Sequence, residues 1–148
     1  MSILDSMEIS TSGLYAQKTR MNAISSNIAN INTTRTEKGG PYQRKTVIFA
    51  AAPKAKNFLE ELEAKAQKLD SGQQVKVLGT VHDERAFHFK YEPNHPDANP
   101  EGYVAYPNVN ITEEMVDMLE ARRSFEANVA AFNVAKAMAN QALEIGKL

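Results

Sequence analysis

The sequence predicts an α+β chain, with long N- and C-terminal helices paired as a coiled coil and a small β-rich insert carrying a short helix. Three observations predict it. An uninterrupted stretch from Asn110 to Gly146 repeats apolar residues every seven positions. A second heptad pattern occupies the opposite end, from about Asp5 to Ile31. Between them lie short alternating segments broken by Gly and Pro. The expected organisation is a discontinuous helical layer, residues 1–34 and 109–148, around an insert at 35–108 with an extra helix at 58–69.

In the first helix Met7, Leu14, Met21 and Ile28 recur every seven residues, with Ile24 and Ile31 between them. Gly13 costs about 1 kcal/mol relative to Ala. The other face carries Asn22, Ser25, Ser26, Asn27 and Asn30, which are poor helix formers because their side chains compete for the backbone. Such a helix is marginal alone and gains order by packing, most simply against the C-terminal helix.

The insert opens with a loop and turn over Thr33–Pro41, marked by Gly39-Gly40-Pro41. Lys45 to Phe49 reads as a strand with Val47 and Phe49 on one side, ended by Pro53. Asn57 and Glu60 have capping-box spacing ahead of Leu59, Leu62, Ala66 and Leu69 on one face, and Ser71-Gly72 stops this short helix. Val75, Val77 and Val81 alternate as a second strand, and Phe87, Phe89 and Tyr91 as a third. Glu92–Gly102, with Pro93, Pro96 and Pro100, is a loop, ordered or flexible; Tyr103–Tyr106 adds a short fourth strand.

The last helix is announced by Asn110 and Glu113 at capping-box spacing, and by the charges of Glu113, Glu114 and Asp117 at its positive end. About 34 residues at about 1.5 Å each give a helix of roughly 50 Å. Met118, Phe125, Phe132 and Ala139 form the stripe, with Ala121, Ala135 and Ala142 as narrow ledges between them. Asn128 interrupts the stripe, where a polar residue fixes register at some cost in stability. The periodicity suits either a compact bundle or a rod-like seam.

Composition excludes several functions. A net charge of −1 with 24% charged residues gives no global field for nucleic acid or an anionic membrane. The absence of cysteine removes disulfides, thiolate metal sites and a Cys nucleophile together. No apolar run approaches the roughly 18 residues of a membrane span, and MSILDSMEIST has no signal-peptide pattern. His82, His88 and His95 lack metal-ligand spacing, and Asp83, Glu84, Asp97 and Glu101 lack acid–base partners. Neither an enzyme, a cofactor site nor a metal site is expected.

Charge is patterned locally. Lys18, Arg20, Arg35, Lys38, Arg44 and Lys45 against Glu37 make the first helix and its exit loop +5, while Glu113, Glu114, Asp117 and Glu120 make the start of the last helix −4. These are either solvated faces or complementary surfaces of neighbouring copies. The basic loop lacks interleaved aromatics apart from Tyr42, which argues against nucleic acid.

Ser12-Gly13-Leu14 and the run Ser26-Asn27-Ile28-Ala29-Asn30-Ile31-Asn32-Thr33 resemble the N-terminal signature of bacterial flagellar axial proteins. Gly39–Lys45, Tyr91–Ala98, Gly102–Val104 and Pro107–Asn110 narrow the likeness to the proximal rod, and Glu114–Val116, Ala121–Phe125, Ala127-Asn128, Lys136–Met138 and Leu143–Gly146 complete it. Ala50–Gln73 departs from the shared pattern.

The resemblance implies a structural subunit of the flagellar rod, the shaft that crosses the periplasm and transmits torque from motor to hook and filament. It implies terminal helices paired in an inner coiled-coil layer, with Ser26, Asn27, Ile28, Ala29, Asn30 and Asn32 as the family motif. The assembly seam would be Met7, Leu14, Met21, Ile24 and Ile28 with Met118, Phe125, Asn128, Phe132 and Ala139. Implied partners are other rod proteins, further copies of the chain, the base of the rod at the MS-ring and export gate, and the flagellar type III export apparatus, which acts without signal cleavage. No nucleic acid and no small-molecule substrate is implied. The competing class is a soluble coiled-coil adaptor or chaperone-like module that docks another protein's helix with the same seams.

Overall fold

The computed structural model describes residues 3–37, 39–52 and 73–145. Helix α1 spans Ile3–Ala29, strands β1 and β2 span Lys45–Ala52 and Gln74–His82, β3 and β4 span His88–Tyr91 and Tyr103–Tyr106, and helix α2 spans Ile111–Ile145. The chain is α+β, with its two long terminal helices packed together and small antiparallel sheets in the middle. The expected helix at 58–69, and the stop at Gly146, lie outside the described residues.

The local chemistry of α1 explains how its polar face tolerates a helix. Ser10 Oγ donates to the Ser6 carbonyl, Thr11 Oγ1 to Met7 and Ser12 Oγ to Ile9, so three hydroxyls bond back onto their own helix. Asn30 closes the C-terminal end. Its backbone and side-chain N–H groups both reach the Ser26 carbonyl, and its Oδ1 accepts from Thr33 Oγ1.

Helix α2 begins with half of the expected capping box. Asn110 Oδ1 accepts from the Thr112 amide at 2.9 Å and its carbonyl accepts from Glu114 at 3.0 Å. Glu113 does not reach back to the cap; its carboxylate accepts from Arg85 instead. A cationic partner on the preceding loop outcompetes one backbone N–H.

The strands form two two-stranded sheets, β1 with β2 and β3 with β4. The second is antiparallel, pairing Phe89 with Ala105 and Tyr91 with Tyr103. Its connecting loop is ordered by Asn99, whose Oδ1 accepts from the Glu101 and Tyr103 amides while its own N–H reaches the Tyr103 carbonyl. Gly102 ends the loop at φ +83°, and a Cβ there would stand 2.8 Å from the Tyr91 ring. Both conformation and crowding require glycine. On this ribbon Lys90 donates to Glu92 at 2.6 Å and Tyr106 Oη to Glu92 at 3.0 Å. Lys90 first, then Tyr106, holds the Glu92 carboxyl below its ordinary range, while Glu92 pushes the Tyr106 phenol up.

The chain divides into two compact units. One comprises Met1–Lys18, Phe49–Leu78 and Arg123–Leu148; the other comprises Thr19–Ile48 and Gly79–Arg122. In the second unit Ile24, Tyr42, Val104, Val109 and Ala121 are buried, together with Pro107. In the first, the buried residues of its helical segments are Ser10, Gly13, Ala16 and Ala135, all small. The expected third strand forms as β3, with Phe89 and Tyr91 67% and 63% exposed. The period specifies a strand; covering its apolar face takes surface that this chain does not place there.

Candidate functional site: a buried polar junction

Asn27 stands at the centre of the second unit and is fully buried. Its Nδ2 donates to the Lys45 carbonyl at 2.9 Å and to Glu114 Oε2 at 3.0 Å. Its Oδ1 accepts from the Lys45 amide at 2.8 Å and from Tyr42 Oη at 3.0 Å. All four hydrogen-bonding positions of the amide are thus used, and α1, the start of β1 and the first turns of α2 are tied to one side chain. Because the Tyr42 proton is committed to Asn27, Ser26 Oγ donates to the Tyr42 oxygen.

Glu114 is the counterpart on α2, also fully buried. A carboxylate taken out of water needs both charge and hydrogen-bond compensation. Arg44 Nε supplies the first at Oε1, and Asn27 the second at Oε2. Arg44 further reaches Asp117 at 3.1 Å and Asp83 at 3.5 Å, so one guanidinium is shared among three carboxylates. Arg20 adds a bond to Asp117 at 2.9 Å and a longer approach to Glu120. The Arg85 backbone amide, then its side chain, holds the Asp83 carboxyl below the usual value, and Asp83 in turn raises Arg85.

A second amide braces the same region. Asn108 Oδ1 accepts from the Arg44 amide at 2.8 Å, and its Nδ2 donates to the Asp83 and Arg85 carbonyls at 3.0 Å each. The Asp83 amide bonds the Arg44 carbonyl at 2.8 Å, which continues the pairing of β1 with β2 by one residue. Within this unit α1 and α2 run antiparallel, since Arg20 meets Asp117 while Asn27, further along α1, meets the earlier Glu114.

The local charges were read as solvated faces or as surfaces between copies. Arg20 and Arg44 instead find Glu114, Asp117 and Glu120 within the chain. Arg35 approaches Asp97 at 3.9 Å, and the Lys45 ammonium lies 5.5 Å from the Tyr42 ring centroid.

The expected seam residues fall as follows. Ile24 is buried, and Met7, Leu14, Met21 and Ile28 are half-buried. On α2, Met118, Phe125, Asn128, Phe132 and Ala139 are half-buried, flanking buried Ala121 and Ala135. In the first unit Gly13 lies against Asn128, whose amide would stand 2.9 Å from an added Cβ. Asn128 Nδ2 donates to the Ser124 carbonyl. Of the motif residues, Ser26, Asn27 and Asn30 make the bonds described above, Ile28 is half-buried, and Ala29 and Asn32 are exposed.

Arg44, Glu114, Tyr42 and Asn108 were missed as site residues. Glu114 had a legible signal: it precedes Ala121 and Asn128 by multiples of seven, which puts a carboxylate on the packed stripe. Among the described residues no group of three or more His, Asp or Glu is arranged to hold a metal ion. His82 and His88 are exposed at strand ends and His95 accepts from the Asp97 amide. No described helix is long and apolar enough to cross a membrane.

Comparison with known proteins identifies the family. The family described as flagella basal body rod protein matches residues 7–35, and that described as flagellar basal body rod FlgEFG protein C-terminal matches residues 101–145. Flagellar basal-body rod protein FlgC of Borreliella burgdorferi is 42% identical over 151 residues, covering 98% of each chain. The Bacillus subtilis protein of that name is 42% identical over 152 residues, covering 99% of this chain and all of its own. That of Salmonella typhimurium is 33% identical over 147 residues, again covering 99% of this chain and all of its own. The chain therefore belongs to the flagellar basal-body rod protein FlgC family and is a structural component of the flagellar rod.

Proposed function

We propose that this rod component sits in the proximal rod and carries torque along the shaft towards hook and filament. Torque transmission calls for a subunit that resists twisting, and close-packed interiors transmit strain where loose ones absorb it. The observation that carries the reading is the saturated junction, in which Asn27 and Glu114 lock α1, β1 and α2 into one register. The proposed division of labour gives residues 1–34 and 109–148 to a coiled-coil layer and 35–108 to an insert. Buried Ile24 and the half-buried Met7, Leu14, Met21, Ile28, Met118, Phe125, Asn128, Phe132 and Ala139 are its assembly seam, closed further by neighbouring subunits.

Membership of the family implies assembly with other rod subunits. The finer partners we propose are copies of this chain, the base of the rod at the MS-ring and export gate, and the type III export apparatus, with delivery to the periplasmic rod without signal cleavage. The work is mechanical, with no reaction and no cofactor. The test is complementation of a strain lacking its own copy with a tagged chain, followed by isolation of basal bodies. Tagged protein in the rod and restored swimming are expected. A chain that stays in the cytoplasm bound to another protein's helix would replace this reading with the adaptor.

A further inference from the structure

The loop between β3 and β4 has a titratable side chain built into its hydrogen-bond framework. Main-chain bonds run from the Glu92 amide to the Gly102 carbonyl, from His95 to Glu92 and from Ala98 to His95. The Asp97 amide is answered differently, donating to His95 Nδ1 at 3.1 Å. Asp97 in turn ties this loop to the segment that leaves α1. Its Oδ2 accepts from Thr34 Oγ1 at 2.8 Å, and Arg35 approaches its Oδ1 at 3.9 Å. All of these groups belong to the second unit.

An imidazole nitrogen accepts a hydrogen bond only while it carries no proton. With Nδ1 taken by the Asp97 amide, the neutral ring holds its proton on Nε2. In the imidazolium both nitrogens are donors, so an Nδ1 proton would face the Asp97 N–H and that bond is lost. Histidine is the side chain whose charge ordinarily changes between about pH 5 and about pH 8. The charged groups around the ring are Glu92, which opens the loop, and Asp97. Glu92 is already engaged by Lys90 at 2.6 Å and by Tyr106 Oη at 3.0 Å. Arg35, the cation beyond Asp97, is 80% exposed and holds it weakly. The Asp97 carboxylate is therefore the acceptor open to a charged His95.

We infer that His95 is a proton-sensitive latch between the β3–β4 loop and the segment leaving α1. Neutral, it fixes the Asp97 backbone and so holds the Asp97 carboxylate against Thr34. Protonated, it releases the Asp97 amide, draws the carboxylate to itself and loosens the ties to Thr34 and Arg35. The main-chain bonds that frame the loop do not titrate, which confines the change to residues 95–98 and 34–35. The Asn27 junction uses none of these groups and keeps its bonds. Acidification thus reshapes one surface of the subunit while its helix register stays fixed.

Nitrogen-15 NMR of the full-length free chain tests this, and with three histidines each ring can be assigned by substitution. Neutral His95 should be the Nε2–H tautomer. Titrated from about pH 8 to about pH 5, the Asp97 and Thr34 amide signals should follow the His95 ring with one shared midpoint. The Asp97 amide should exchange about fivefold faster in the charged form, after correction for the intrinsic pH dependence of exchange. His95→Gln keeps an acceptor that takes no proton and should abolish the titration; His82→Gln and His88→Gln should leave it unchanged. An Nδ1–H tautomer in the neutral chain overturns the inference. So do Asp97 and Thr34 signals that ignore the ring, or that still titrate in His95→Gln. Should that variant fail to fold, the tautomer and the shared midpoint in the unmodified chain decide.

Discussion

Two stretches of the same helix pair solve the packing problem with opposite materials. Around Asn27 and Glu114 the interface between α1 and α2 is polar, charged and saturated. Around Gly13 and Asn128 it is narrow, built from residues small enough to let the helices approach. The polar junction is specific because each group has one correct partner and a high cost of being left alone. The small-residue stretch is permissive, since close approach rests on dispersion contacts that many registers can supply. Within its own unit the junction specifies register more tightly than the small-residue stretch does within the other.

Arg44→Ala should break this contrast most severely. It leaves Glu114 buried without its cation, and loss of one partner of a buried pair costs about 3–5 kcal/mol. Urea unfolding of the free chain reads it, and a loss below about 1 kcal/mol would mean that water or another cation serves Glu114 equally well. Replacing Glu114 and Arg44 together by apolar residues should recover much of the deficit, because the desolvation cost leaves with the charges.

Phe125→Ala comes next. Full burial of a phenylalanine is worth about 3–5 kcal/mol on truncation, and Phe125 is only half-buried within the chain. The free chain should lose roughly half that value, with the remainder appearing as weakened rod assembly and swimming. Equal losses before and after assembly would remove Phe125 from the proposed seam. Gly102→Ala should cost about 1–2 kcal/mol, from its left-handed backbone and from the Tyr91 ring.

The small-residue stretch yields a sharper measurement by double mutation. Gly13→Ala gains helix propensity of about 1 kcal/mol but drives its Cβ against the Asn128 amide. Alone it should be near neutral or destabilising; in an Asn128→Ala background the gain should emerge in full. An identical effect in both backgrounds would show that the two residues are uncoupled.

The smallest effect is acid sensitivity at Asp83. Its carboxyl is held below the ordinary value by the Arg85 backbone amide and then by the Arg85 side chain. A lowered folded pKa contributes stability that is present above the unfolded value, about 3.9, and is lost as pH falls through the folded one. Asp83→Asn should therefore lose that small contribution at neutral pH and flatten the fall in stability below about pH 4, so that variant and parent converge in acid. Unfolding midpoints between pH 3 and pH 6 check this.

What could be read from the chain alone was whatever has a local cause. Heptad spacing of Met7, Leu14, Met21 and Ile28, and of Met118, Phe125 and Phe132, specified two helices. Alternation of Val75 with Val77 and of Phe89 with Tyr91 specified strands, and Asn110 marked where α2 begins. Asn27 stood out as part of a motif, and Arg20, Arg44 and Glu114 as members of charged clusters, but their pairing could not be read. Arg44 and Glu114 are seventy residues apart, and partner choice over that distance is set by which elements the fold brings together. The tertiary structure also decided which face of α1 is buried. Ser10, Gly13, Ala16 and Asn27 lie deeper than Met7 and Leu14, because close helix approach favours small and hydrogen-bonded groups over the bulkier ones that a hydrophobic count selects.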